Sequence, residues 1–174
     1  MKVQYRPVVP KIKWFKIVVI KIVFIVLGRA FQSASKHDEE IRKEISSWSD
    51  GFTLIMKVMP DGPYMGLEKK DNMLEFKASQ LKNADLEIYF RNVESAFMIM
   101  TPQMGSHQAF AERRMSIKGD LSIATAFTRT LVIVMSTLYP EFIVKRLVKR
   151  VPPLTFKRLK LRVWLYTFGI LLGR

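Results

Sequence analysis

RRMSIKGDLSIATAFTRTLVIVMSTLY, residues 113–139, is the stretch whose reading decides the fold. It opens with Met115 and Ile117 on one side of a short alternation, which is the period of a strand. Gly119-Asp120 then marks a turn, and a long, almost uncharged segment begins where Asp120 stands. An aspartate at a helix N-cap accepts hydrogen bonds from the first free backbone amides, so 121–139 is expected to be a helix with a defined start. Pro140 ends it, because proline cannot continue a helix.

That helix is apolar nearly all round, through Ile123, Ala124, Phe127, Leu131, Val134, Met135 and Leu138, and Arg129 is its only charge. A helix apolar on every face is buried on every face, in protein, in lipid or against an apolar ligand. It is long enough to span a bilayer. Arg129 near its middle, and the strand that feeds it through a tight turn, favour the core of a soluble domain instead.

Working outward, 174 residues make one domain with extensions, enough to bury a substantial core. The chain has no cysteine, which excludes disulfides, thiolate metal sites and a cysteine nucleophile. Its formal net charge of +14 is unevenly placed. Residues 1–31 carry seven Lys or Arg and no acid, and residues 141–174 carry nine and a single acid, Glu141. The 109 residues between hold 13 basic and 14 acidic side chains, an ordinary neutral domain.

Both basic arms interleave charge with bulky aliphatic and aromatic residues, which is not the polar composition of a nucleic-acid arm. Residues 14–27, WFKIVVIKIVFIVL, would rise about 21 Å as a helix, short of the roughly 30 Å hydrocarbon core. Lying in a membrane interface suits them better than crossing it. A signal peptide is the competing reading, weakened by Lys21 within the apolar run and by the lack of a clear cleavage site. In residues 141–151, EFIVKRLVKRV, the apolar set Ile143, Val144, Leu147, Val148 and Val151 opposes Lys145, Arg146, Lys149 and Arg150 on a helix. That is the pattern of a helix on an anionic membrane. Pro152-Pro153 breaks it, and a second basic segment with Lys157 and Arg158 leads to Trp164 and Tyr166, residues suited to a bilayer interface. The expected membrane-binding residues are therefore Lys13, Trp14, Lys16, Lys145, Arg146, Lys149, Arg150, Lys157, Arg158 and Trp164. Packing of either arm on another protein is the alternative.

Between the arms, residues 32–48 read as one helix, with Ile41, Ile45 and Trp48 at helical spacing. Strands follow at 52–59, 64–69, 73–78 and 86–90, separated by Pro60-Asp61-Gly62-Pro63, Asp71-Asn72 and a polar loop. A helix is expected at 93–100, then the strand and helix already described. The order is that of an α+β domain. The expected organisation is an N-terminal membrane-associating arm over 1–31, a domain over 32–140 and a basic amphipathic arm over 141–174.

The series DLEIYFRNVESAFMIM at 85–100, QAF at 108–110 and SIKGDLSIATAF at 116–127 resembles the sterol carrier protein 2 family. The similarity covers about residues 36–139, and its most specific piece is Lys118-Gly119-Asp120 with the helix that follows. Two departures stand out: Glu112 and Arg113 occupy the place where the family pattern has a glycine, and both arms lie outside the family domain. The resemblance implies a five-stranded sheet covered by helices, enclosing an apolar tunnel for a long lipid-like molecule, with no chemistry performed on it. No cofactor is expected beyond a bound lipid or quinone. Ten methionines suit such a lining, because methionine conforms to ligands of variable shape. The expected lining residues are Phe97, Met98, Met100, Met104, Phe110, Phe127, Leu131, Met135 and Leu138.

Catalytic signals are weak. His37 and His107 each lack a second histidine nearby for a metal site, and Ser106 beside His107 is badly placed to form a nucleophile and base pair. No phosphate-binding glycine loop is present. The expected function is a lipid-binding module on an anionic bilayer, on its cytoplasmic side by the positive-inside tendency. The alternative is an accessory subunit of a larger membrane complex, with the arms as interface helices. A nucleic-acid partner is not expected.

Overall fold

Ile20, Phe24, Leu27, Phe31 and Ala34 recur at the three- and four-residue spacing of one helix face, and all five are buried. In the computed structural model, which describes residues 13–139 except 79, 82 and 102, they form the inner stripe of a single helix, α1 (Trp14–His37). The boundary expected between residues 31 and 32 thus falls inside α1, whose buried residues lie on both sides of it. Because 14–27 is apolar nearly all round, broken only by Lys16 and Lys21, its inward stripe does not stand out until the chain partners are known. The residues beyond 139, including Lys145, Arg146, Lys149, Arg150, Lys157, Arg158 and Trp164, lie outside the described residues.

The single helix expected over 32–48 is interrupted at Asp38. Its backbone is extended, its N–H still donates to the Ala34 carbonyl, and its carboxylate accepts from Glu40 N–H at 2.9 Å. One residue therefore ends α1 and caps α2 (Glu39–Ser46). Ile41 and Ile45, one turn apart, bury α2, and the buried Trp48 follows it.

Five strands form one sheet in the order β3-β2-β1-β4-β5: β1 (Thr53–Val58), β2 (Tyr64–Lys70), β3 (Met73–Ala78), β4 (Leu86–Phe90) and β5 (Met115–Lys118). Only β1 with β4 is parallel; the other neighbours are antiparallel. Asp71 and Asn72 both take positive φ, 50° and 57°, in the tight turn between β2 and β3. Alternation sends Leu54, Met56, Val58, Met65, Leu67, Leu86, Ile88 and Phe90 to one face, where all are buried. Helix α1 crosses that face over β2 and β3 and touches α3 (Val93–Met100). At the β3 edge, Ser35 Oγ accepts from Leu74 N–H at 3.0 Å and Gln32 Oε1 accepts from Phe76 N–H at 3.2 Å.

Lys69, on the inner face, is buried and donates from Nζ to the Ser46 carbonyl at 3.4 Å and to the Trp48 carbonyl. It places a cation where the last carbonyls of α2 leave partial negative charge. At the other end of the sheet, Asp85 accepts from Thr53 N–H at 2.8 Å and Thr53 Oγ at 2.7 Å, joining the starts of β1 and β4. The Thr53 N–H, and next its hydroxyl, hold the Asp85 carboxyl below its ordinary range.

A short helix not foreseen from sequence, α4 (Ser106–Ala111), precedes β5 and carries His107. Its six residues have no side-chain cap, which is why no local signal announced it. Arg113, just before β5, has φ 54°. A side chain in that left-handed region costs roughly 1 kcal/mol. We expect Arg113→Gly to raise stability by about 0.5–1 kcal/mol in urea unfolding; a neutral or destabilising result would show that the arginine side chain contributes more than the backbone loses.

Helix α5 (Leu121–Leu138) starts as expected, with Asp120 accepting from Ser122 N–H at 2.6 Å and Ile123 N–H at 3.2 Å. It is long and apolar enough to cross a membrane, and 56% of it is buried inside the protein against α1 and α2. Arg129 lies on its outer side in a bidentate pair with Glu44 of α2, Nε at 3.0 Å and Nη2 at 2.8 Å, and Glu44 holds the guanidinium above its ordinary range.

Candidate functional site

The nine expected lining residues fall together. Met100, Met104, Phe127, Leu131 and Leu138 are buried, and Phe97, Met98, Phe110 and Met135 are half-buried against the same continuous apolar body between the sheet and the helices. Tyr139 ties its far end, donating from its hydroxyl to the Met100 carbonyl at 3.1 Å and so joining α5 to α3.

Aromatic rings organise the other end. Phe127 stacks on Phe31 with centroids 5.2 Å apart and meets Trp48 at 6.4 Å, and Trp48 meets Phe52 at 5.5 Å. Phe24 packs against Phe90 at 6.2 Å. Phe31 and Trp48 were not among the expected lining residues. Seven-residue spacing from Phe24 would have pointed to Phe31, and the Ile41, Ile45, Trp48 series to the tryptophan. Among the described residues, three buried polar side-chain atoms have no hydrogen-bond partner: Trp48 Nε1, Ser33 Oγ and Ser95 Oγ. Each carries an unmet donor in surroundings that are otherwise apolar.

Of the expected membrane-binding residues that are described, Trp14 points outward at 71% exposure. Lys13 and Lys16 turn to α3, where both donate to Glu94, and Lys16 also stands 5.0 Å from the centre of the Phe97 ring. Lys13 first, then Lys16, holds the Glu94 carboxyl below its ordinary range. The outward side of α1 is formed by Trp14, Phe15 at 69%, Ile22 at 55% and Ile25 at 45% exposure. No acid occurs in α1, while Lys16, Lys21, Arg29 and Lys36 do.

Among the described residues, two concavities lie apart from this apolar body. One of about 660 Å³ lies between α2 and α5 and is lined by charged groups, Glu44 and Arg129 among them. The second, of about 340 Å³, lies on the opposite face of the sheet. Among the described residues, no group of three or more His, Asp or Glu is arranged to hold a metal.

Compared with protein-family profiles and with curated protein sequences, the chain gives no match. Among solved structures it is similar to a ubiquinone synthesis protein, UbiJ-SCP2, at 14% identity and a TM-score of 0.45, over 69% of this chain and 98% of that one. It is also similar to the sterol carrier protein domain 2 of Helicoverpa armigera, at 14% identity and a TM-score of 0.47, over 65% and 88%. A third is the sterol carrier protein 2 of Yarrowia lipolytica, at 12% identity and a TM-score of 0.42, over 70% and 93%. In fold, then, this chain of one mixed five-stranded sheet and its helices is similar to sterol carrier protein 2 domains.

Proposed function

We propose that this chain is a non-catalytic lipid-binding module held at a membrane surface, taking a sterol-, acyl-, isoprenoid- or quinone-like molecule between its helices and the inner face of its sheet. Trp48 carries the reading. Its indole N–H is buried among aromatic rings without an acceptor. An unmet buried donor costs about 1–3 kcal/mol, and the one oxygen of an otherwise apolar ligand would satisfy it. The methionines of α3 and α5 are suited to an adaptable wall around the rest of such a molecule.

The outward stripe of α1 supports the membrane part. Large apolar side chains on a helix with basic residues and no acid match the interface of an anionic bilayer, with the cytoplasmic side favoured by the chain's basic excess. The same stripe supports a second reading, an interface with another subunit of a membrane complex.

Mass spectrometry of an organic extract of the full chain, purified in mild detergent, tests the interior site. The expected result is one retained lipid bearing a carbonyl, hydroxyl or quinone oxygen. Its retention should fall about fivefold in Trp48→Phe, the worth of one hydrogen bond. Equal amounts of bulk phospholipid from both proteins would overturn it. Replacing Ile22 and Ile25 together by serine should lower partitioning onto anionic vesicles roughly tenfold; unchanged partitioning would assign the stripe to a protein partner.

A further inference from the structure

We infer that the face of the sheet turned away from the described helices carries a second binding site, for a small aromatic monocarboxylate. In the strand register Lys57 of β1 lies opposite Tyr64 of β2 on one side and Tyr89 of β4 on the other. Ile55, two residues earlier on the same face, lies between Gly66 and Glu87. Gly66 offers no side chain, and the loop after β3 lays Leu81 into that gap: a Cβ on Gly66 would come 2.7 Å from Leu81 Cδ1. These neighbours enclose the concavity of about 340 Å³, with Ile55, only 3% exposed, as its floor and the two phenol rings and Leu81 as its walls.

Charge distinguishes this spot from the rest of the face. Lys77 is satisfied there by Glu68 at 3.1 Å and Glu75 at 2.6 Å. Lys118 stands 3.9 Å from Glu87 at the rim of the concavity. Lys57 is half-buried and has neither an ion pair nor a hydrogen bond among the described residues, and the Tyr89 hydroxyl likewise has no partner. Among the described lining residues, two lysines against one glutamate leave one positive charge over, the complement of a monoanion. A carboxylate at Lys57 Nζ would gain a charge-assisted hydrogen bond, with Tyr89 beside it as a further donor. An apolar ring would lie over Ile55 and Leu81 between the phenols, where offset or edge contacts between aromatic rings are favourable. The volume is at the small end of ligand pockets, room for one or two fused rings and too little for a long lipid. This site is separate from the interior one and stands or falls without it.

Titration of the methyl-labelled full chain with 2-naphthoate tests the site, following the Ile55 and Leu81 methyl signals by NMR and Leu131 as the interior reference. Saturable shifts at Ile55 and Leu81 are expected, with Leu131 unmoved. Neutral 2-naphthol, the same ring without the carboxylate, should bind about tenfold more weakly, as should 2-naphthoate to Lys57→Met. Lys118→Met, at an exposed side chain, should weaken binding less, and Lys70→Met, outside the concavity, not at all. The proposal is overturned if Ile55 and Leu81 do not shift, if the shifts appear at Leu131 instead, or if Lys57→Met binds as tightly as wild type.

Discussion

Replacing Phe127 by alanine is expected to lower stability by about 3–5 kcal/mol, measured as the change in urea unfolding followed by circular dichroism. The ring is wholly buried near the middle of α5, stacked on Phe31 of α1 at an interplanar angle of 26° and tilted 49° against Trp48. Its removal would therefore leave a gap where three parts of the chain meet. Aromatic pairing adds about 0.5–1.5 kcal/mol to what is lost with the buried area. Phe127→Leu, which retains most of the volume, should cost less than half as much. A loss below about 1 kcal/mol for the alanine variant would mean that the ring borders space it does not fill. That outcome would bear directly on how much room the interior offers a ligand.

The second large effect is expected at Gly119, where alanine should cost about 2–4 kcal/mol. The residue has φ 129°, and a Cβ there would lie 2.5 Å from the Asp85 carbonyl oxygen and 3.1 Å from Leu86 Cα. Neither obstacle is a side chain that can swing away. Asp85 is also tied to Thr53, so a shift at this point would disturb the starts of β1 and β4 together with the turn into α5. Gly51 provides the comparison: it has φ 78° but open space around it, so Gly51→Ala should show only the backbone cost of about 1 kcal/mol. Equal losses at the two glycines would show that close approach adds nothing at Gly119. Faster amide exchange at Ser122 and Ile123 in Gly119→Ala would locate the damage at the capped end of α5.

How much of this was legible beforehand depended on whether a signal was local. The strands were, because Asp71-Asn72 and Gly119 occupy turns whose positive φ their residue types tolerate. The start of α5 was, because Asp120 makes the cap its side chain suggests. The inward placement of the nine residues expected to line a tunnel was also legible, since each lies on an apolar face of α3, α5 or the α4 region. What stayed hidden was pairing over long range. Lys13 and Lys16 look like free surface cations in the chain and are taken up by Glu94, about 80 residues away, with separations of 81 and 78. Tyr64, Lys57 and Tyr89 look like the ordinary solvated side of three strands until a parallel β1–β4 pair sets them side by side. The continuity of α1 was hidden by an excess of apolar residues, which masks the direction of burial.

The hydrogen bonds from Leu74 and Phe76 to Ser35 and Gln32 have a consequence for self-association. An edge strand with unpaired amides is a template on which another chain can add a strand, the first step toward a growing intermolecular sheet. In β3 these amides are already occupied by two side chains of α1, so this edge offers an incoming strand fewer free donors. The opposite edge is β5, only four residues long, with Gly119 breaking the strand at one end and the left-handed Arg113 just before the other. A strand that short gives an incoming chain little length to pair with. The fold is thereby protected at both ends of its sheet by different means, one by side chains from a helix and one by brevity. At the β3 edge, resistance to aggregation depends on α1 being in place.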